Sequence, residues 1–112
     1  MASNAQRGAH YKARSKKWLQ QQGYQVGDME LLRIIFTPNG MVPTKRDQWA
    51  SDLIAQRADE DAVLFVQVKG GKKASVAEAK RKFHEHAFAR CTRRVIHVWR
   101  PYASQPEVIE CP

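Results

Sequence analysis

Cysteine is nearly missing from this chain: Cys91 and Cys111 are the only two among 112 residues. Two thiols at that spacing build neither a disulfide framework nor a zinc site, so both are expected to be reduced. Long apolar runs are missing too, and none approaches the ~20 residues that a membrane helix needs. Met1 to Arg7 is polar and has no apolar h-region, so no secretory signal is expected there. Together these absences predict a soluble, cytoplasmic protein with no membrane partner. There is also no internal repeat, no linker and no second domain to be read from the composition. Acidic residues are scarce beside basic ones. Eleven Asp and Glu stand against nineteen Lys and Arg, a net charge of +8. A surplus of that size favours polyanionic partners, because each cation placed beside a phosphate releases condensed counterions.

The apolar pattern organises the rest. Residues 1–7 are expected to form a flexible arm, followed by a single domain over 8–112. From Gly8 to Gln22 the residues Tyr11, Ser15, Trp18, Leu19 and Gln22 recur at three- and four-residue spacing, which predicts a helix ended by Gly23. Tyr24 to Phe36 reads as extended, and Pro38-Asn39-Gly40 predicts a hairpin into Met41–Pro43. Leu53-Ile54-Ala55 is a short strand entered through Asp52, and Gln56 to Asp61 reads as a turn. Val63 to Val68 is almost continuously apolar, as a central strand covered on both faces would be. Gly70-Gly71 breaks it. Ser75 and Glu78 form a capping box for a helix whose buried stripe is Val76, Ala79, Phe83 and Ala87. Val95 to Trp99 is a further strand stopped by Pro101, with Val108-Ile109 as a short edge strand. Helices alternating with strands in this way predict an α/β fold with a mixed central sheet flanked by helices.

The chemistry-bearing residues gather between Asp52 and Lys69. Gln67 and Lys69 lie two apart on the most buried strand, so they share a face. A hairpin from the Leu53 strand would bring Asp52 alongside them. Polar groups that interrupt a buried strand are costly unless paired or used. Hard cations take oxygen ligands, and Mg²⁺ is often held by one or two carboxylates, waters and a substrate phosphate. Asp52, the Gln67 side-chain oxygen and the Val68 carbonyl make such a set. Lys69 would orient the attacking water and offset charge on the phosphate.

This pattern resembles the PD-(D/E)XK, or restriction-endonuclease-like, nuclease superfamily. Ser51-Asp52 stands at its Pro-Asp position and Gln67-Val68-Lys69 at its (Asp/Glu)-X-Lys position. With Gly8 opening a helix that ends in Gly23-Tyr24-Gln25-Val26, the likeness is greatest to archaeal-type Holliday junction resolvases, including those encoded by phages. It spans roughly Arg7 to Trp99. It implies an αβββαβ core, Mg²⁺ as cofactor with Mn²⁺ as substitute, and cleavage of branched DNA by a homodimer. It also implies action in the cytoplasm, or in the host cytoplasm for a phage protein. One position departs: where those resolvases carry a glutamate in the first helix, this chain has Lys12. Asp47 and Glu30 are the candidate replacement acids, with His10 behind them.

The DNA contacts expected from charge and placement are Lys12, Lys16 and Lys17 on the first helix, Lys72 and Lys73 after the paired glycines, and Arg46. Trp49 is a candidate to stack on a base beside the site. Arg93, Arg94 and Arg100 read equally as phosphate contacts or as a wet rim. His84 and His86, two apart on a helix, do not face one metal site. His97 is expected in the core. The rival expectations are a non-catalytic module that binds branched DNA, a restriction-type or general nuclease, and an RNA-binding protein.

Overall fold

Helix α1 runs from Asn4 to Gln21 in the computed structural model. The structure describes residues 4–47, 49–71 and 75–111, with the backbone alone over 4–7, 30–36 and 42–47. The helix therefore takes in residues 4–7, which were expected in the arm. Ala5, Gln6 and Arg7 are all good helix formers, and no glycine or proline precedes Gly8 to stop them. The helix ends where Gly23, at φ 92°, adopts the left-handed conformation that a C-terminal glycine reaches without strain.

Among the described residues seven strands follow in chain order: β1 (Gln25–Asp28), β2 (Glu30–Thr37), β3 (Gly40–Asp47), β4 (Leu53–Gln56), β5 (Val63–Gly70), β6 (Thr92–Trp99) and β7 (Glu107–Cys111), with helix α2 (Val76–His84) between β5 and β6. Five of them form one mixed sheet in the order β1-β4-β5-β6-β7. The β5–β6 pair is parallel and the other three pairs are antiparallel. The stretch 24–36, expected as one extended segment, divides at Met29. Its first part joins the main sheet, and its second pairs with β3 in a separate hairpin closed by Pro38-Asn39.

Alternation along β5 and β6 sorts the core into two layers. Leu64, Val66 and Val68, with Val95 and Trp99, pack under Leu19, Trp18 and Tyr11 of α1. Phe65, with Ile96 and Val98, packs against Ala79 and Phe83 of α2. Phe83 is wholly buried, which contributes about 2–3 kcal/mol of apolar transfer. Glu78 N–H donates to the Ser75 hydroxyl at 3.3 Å, the serine half of the expected box. The helix stops at His84, with Glu85 as its C-cap, so Ala87 is not on its buried stripe as expected. Gly70 has a packing reason: a Cβ there would sit 2.2 Å from the Tyr11 ring, so this end of β5 accepts no side chain while Tyr11 lies on it.

A buried polar node ties α1 to β6. The Trp99 indole N–H donates to Ser15 Oγ at 2.6 Å, and Ser15 Oγ lies 3.1 Å from His97 Nδ1. Indole is a donor only, so the serine accepts from Trp99, while the direction of the Ser15–His97 bond follows the imidazole tautomer. Burial pushes the His97 pKa down to about 4. Among the described residues, no helix is long and apolar enough to cross a membrane.

Candidate active site

Strand β5 is central, and its run from Leu64 to Val68 is buried throughout. Gln67 is buried there at 8% exposure, and its Oε1 has no hydrogen-bond partner among the described residues. An acceptor left unsatisfied in a low-dielectric interior costs about 1–3 kcal/mol. A water or a cation within reach would satisfy it.

Asp52 stands against the same stretch of β5. In the β4–β5 register Leu53 faces Val66, and an unbroken ladder would set the preceding residue, Asp52, opposite Gln67. The ladder slips here: the Asp52 N–H donates to the Val66 carbonyl at 2.9 Å, so Asp52 and Leu53 both oppose Val66, the two-against-one count of a β-bulge. The side chain replaces the lost ladder partner. Asp52 Oδ2 accepts the Val68 N–H at 2.9 Å. Both backbone groups of an extended residue project to one side, so the Val68 carbonyl also turns toward Asp52's side of β5.

The turn that delivers Asp52 is strained. Trp49 and Ala50 are both left-handed, at φ 51° and 56°. Neither is a glycine, and such residues cost about 1–3 kcal/mol each. Ser51, wholly buried, fastens the turn by donating from Oγ to the Trp49 carbonyl at 2.9 Å. Trp49 is 46% exposed, with its ring edge-on to Phe65 at 5.6 Å.

The expected residues are brought together in part. Asp52 meets the Val68 N–H, and Gln67 is the neighbouring residue on β5 at the same end of the sheet. Lys69, half-buried, follows on the Gln67 face by alternation. The replacement acids Glu30 and Asp47 face each other in register at the base of the β2–β3 hairpin. Glu30 directly follows Met29, whose N–H donates to the Asp52 carbonyl at 3.0 Å. The side chains of Glu30, Asp47 and Arg46 lie outside the described atoms, and Lys72 and Lys73 lie outside the described residues.

Lys12 is held elsewhere. Its Nζ lies 3.1 Å from Asp28 Oδ1, and Asp28 pairs with Leu53 across β1–β4. The acid near the first helix thus comes from β1, a residue that sequence reading missed because Asp28 sits in an unremarkable Gly-Asp pair. Lys16 is half-buried and Lys17 exposed on α1. The arginines that read equally as phosphate contacts or as a wet rim have partners of their own. Arg93 pairs with Glu110 and Glu60, Arg100 with Glu107, and Arg94 lies 5.4 Å over the Phe88 ring. His84 is exposed and His86 half-buried, whereas His97 is in the core.

A carboxylate, an orphaned amide oxygen and a backbone carbonyl are all hard oxygen donors, the set that suits Mg²⁺ or Mn²⁺ rather than a soft metal. Among the described residues no group of three His, Cys, Asp or Glu side chains is placed to hold a metal. No family model, curated protein or solved structure matches the chain.

Proposed function

We propose that the chain is a metal-dependent, structure-selective DNA endonuclease that resolves four-way junctions. The observation that carries this reading is that the Asp52 carboxylate sits on the Val68 N–H, the residue next to Gln67, whose Oε1 is buried and unpartnered among the described residues. The main sheet adds support. With the β2–β3 hairpin set aside as an insertion, the elements α1, β1, β4, β5, α2, β6 follow the αβββαβ order of a restriction-endonuclease-like core, with β7 added at the edge.

In this reading Asp52, Gln67 and the Val68 carbonyl hold Mg²⁺. When bound there, the cation supplies Lewis-acid stabilisation of the phosphate and acidifies water. Lys69 donates to a phosphate oxygen and orients the water for in-line attack. The net charge of +8 draws the DNA in, and Lys16 and Lys17 hold its backbone. Cutting two opposed strands takes two sites in fixed relation, which a twofold homodimer provides.

The deciding experiment is Asp52→Ala on a synthetic four-way junction with Mg²⁺ or Mn²⁺. Cleavage disappears while junction binding survives. Equal cleavage by the variant would sink the reading. A plain duplex of the same sequence separates a junction resolvase from a restriction-type nuclease.

A second reading, a non-catalytic module that binds branched DNA, is favoured by the thin acid set: Lys12 stands where the resembling family has glutamate and is paired to Asp28. It predicts tight junction binding with no cleavage by the parent chain in either metal.

A further inference from the structure

The turn after β6 carries an aromatic residue in a place that neither packing nor backbone geometry favours. Arg100-Pro101-Tyr102-Ala103 is a β-turn closed by the Ala103 N–H on the Arg100 carbonyl at 3.2 Å. Pro101 occupies the second position and Tyr102 the third, at φ 64°. A left-handed third position is where glycine or asparagine is the unstrained choice. Tyr102 is nevertheless there, and its side chain is fully exposed. Strain with no burial in return points from the outlier to a use.

The turn is also anchored. Arg14 of α1 donates to the Ala103 carbonyl at 2.8 Å and lies 4.2 Å over the Trp99 ring. The tyrosine is thus offered to solvent on a fixed support.

Topology sets this turn at the same end of the sheet as the candidate active site. Strands β5 and β6 are parallel, so the turn beyond Trp99 lies at the same end of the sheet as Lys69 and Gly71. The Gly71 N–H donates to the Trp99 carbonyl at 3.0 Å and joins the two strand ends. Strand β4 runs antiparallel to β5, so Asp52 and Trp49 lie at that end as well. Trp49 is the second exposed aromatic there, and it too is left-handed. Strands β4 and β6 flank β5 and are roughly 10 Å apart.

We infer that Tyr102 and Trp49 are base-stacking residues that bracket the cleavage site, and that the DNA bound there presents unpaired bases. This inference rests on the nuclease reading of the same end of the sheet. Exposed aromatics beside a lysine on a chain of charge +8 suit DNA, whose phosphates meet the cations while each base offers a π-face. A fully paired duplex hides those faces within its stack. The branch point of a junction, or a single strand, exposes them.

Tyr102→Gly tests this without endangering the fold, since glycine relieves the left-handed strain. The probes are a fluorescein-labelled four-way junction with unpaired bases at its centre and a blunt duplex of the same sequence, bound by the full chain in EDTA. Tyr102→Gly melts at or above the temperature of the parent and binds the junction about tenfold more weakly or worse. Its affinity for the duplex is unchanged. Trp49→Ala repeats the pattern, and Tyr102→Phe restores junction binding. Equal affinity of parent and Tyr102→Gly for the junction overturns the inference. So does an equal loss on junction and duplex, or tighter binding of an RNA hairpin than of the junction. A parent chain that discriminates the two DNAs through Tyr102 but never cleaves sinks the nuclease reading alone. One that cleaves junctions with Tyr102→Gly unchanged sinks the stacking alone.

Discussion

The Asp52 carboxylate accepts the Val68 backbone N–H at 2.9 Å, so the side chain read as the metal ligand is also a structural partner of the central strand. The two roles separate by substitution. Asp52→Asn keeps an acceptor for that N–H, whereas Asp52→Ala leaves it orphaned in a buried place. Asp52→Ala is expected to lose about 1–3 kcal/mol in urea unfolding and Asp52→Asn clearly less. Both should lose junction cleavage by a factor of about 100 or more. Cleavage that tracks stability across the pair would make Asp52 structural only.

Gln67 gives the opposite pattern. Its Oε1 is buried without a partner, so replacing the amide with an apolar chain of similar volume removes a liability of the metal-free protein. Gln67→Met is expected to unfold at the same or a higher urea concentration, by up to about 1 kcal/mol. Its cleavage should fall with the missing ligand. A variant that is both less stable and fully active would show the glutamine to be ordinary packing.

Lys16 and Lys17 test where the DNA backbone runs. Charge removal at both, Lys16→Gln with Lys17→Gln, should weaken junction and duplex binding alike. It should also lower the slope of log affinity against log salt by roughly one for each phosphate that is no longer neutralised. An unchanged slope in fluorescence anisotropy titrations would place the backbone elsewhere.

Ser15 is wholly buried and serves both Trp99 and His97. Ser15→Ala leaves an indole N–H and an imidazole nitrogen unpaired. A loss of about 3 kcal/mol in chemical denaturation is expected, more than a surface serine would give. Ser15→Thr keeps the hydroxyl, but it adds a methyl where α1 meets β6.

His97 sets an acid limit. Its folded pKa is lowered to about 4 from 6.5, chiefly by burial. The unfolded chain therefore binds a proton between those values and the folded chain does not. The stabilisation is complete above about pH 6.5 and is lost as the pH falls toward 4, by about 3 kcal/mol in all. Thermal melts over this range should show His97→Gln with a shallower dependence than the parent. Parallel curves would mean that other groups control acid unfolding.

Local order was legible in the residues themselves. The stripe from Tyr11 to Leu19, the proline-asparagine turn before Gly40, the serine cap at Ser75 and the apolar run of β5 each rest on neighbours a few positions away. Periodicity and turn chemistry operate over that range. The division of 24–36 at Met29 was not legible, because no turn signal marks it and only pairing with β4 separates the first part from the second. The pairing of Lys12 with Asp28 was likewise hidden, since it spans an α1–β1 contact that no local pattern encodes. Tyr102 passed unnoticed for a related reason: a tyrosine after a proline is unremarkable until its φ is known.

What the chain's own residues determined was an α/β domain of strong positive charge, with an aspartate, a glutamine and a lysine set close to a buried strand. Only the tertiary structure decided that the aspartate's carboxylate would be spent partly on a backbone N–H, that the glutamine's oxygen would be left without one, and that two strained aromatics would stand at the same end. Those outcomes depend on how strands distant in sequence slip and align against each other, and register is a property of the assembled sheet rather than of any single segment.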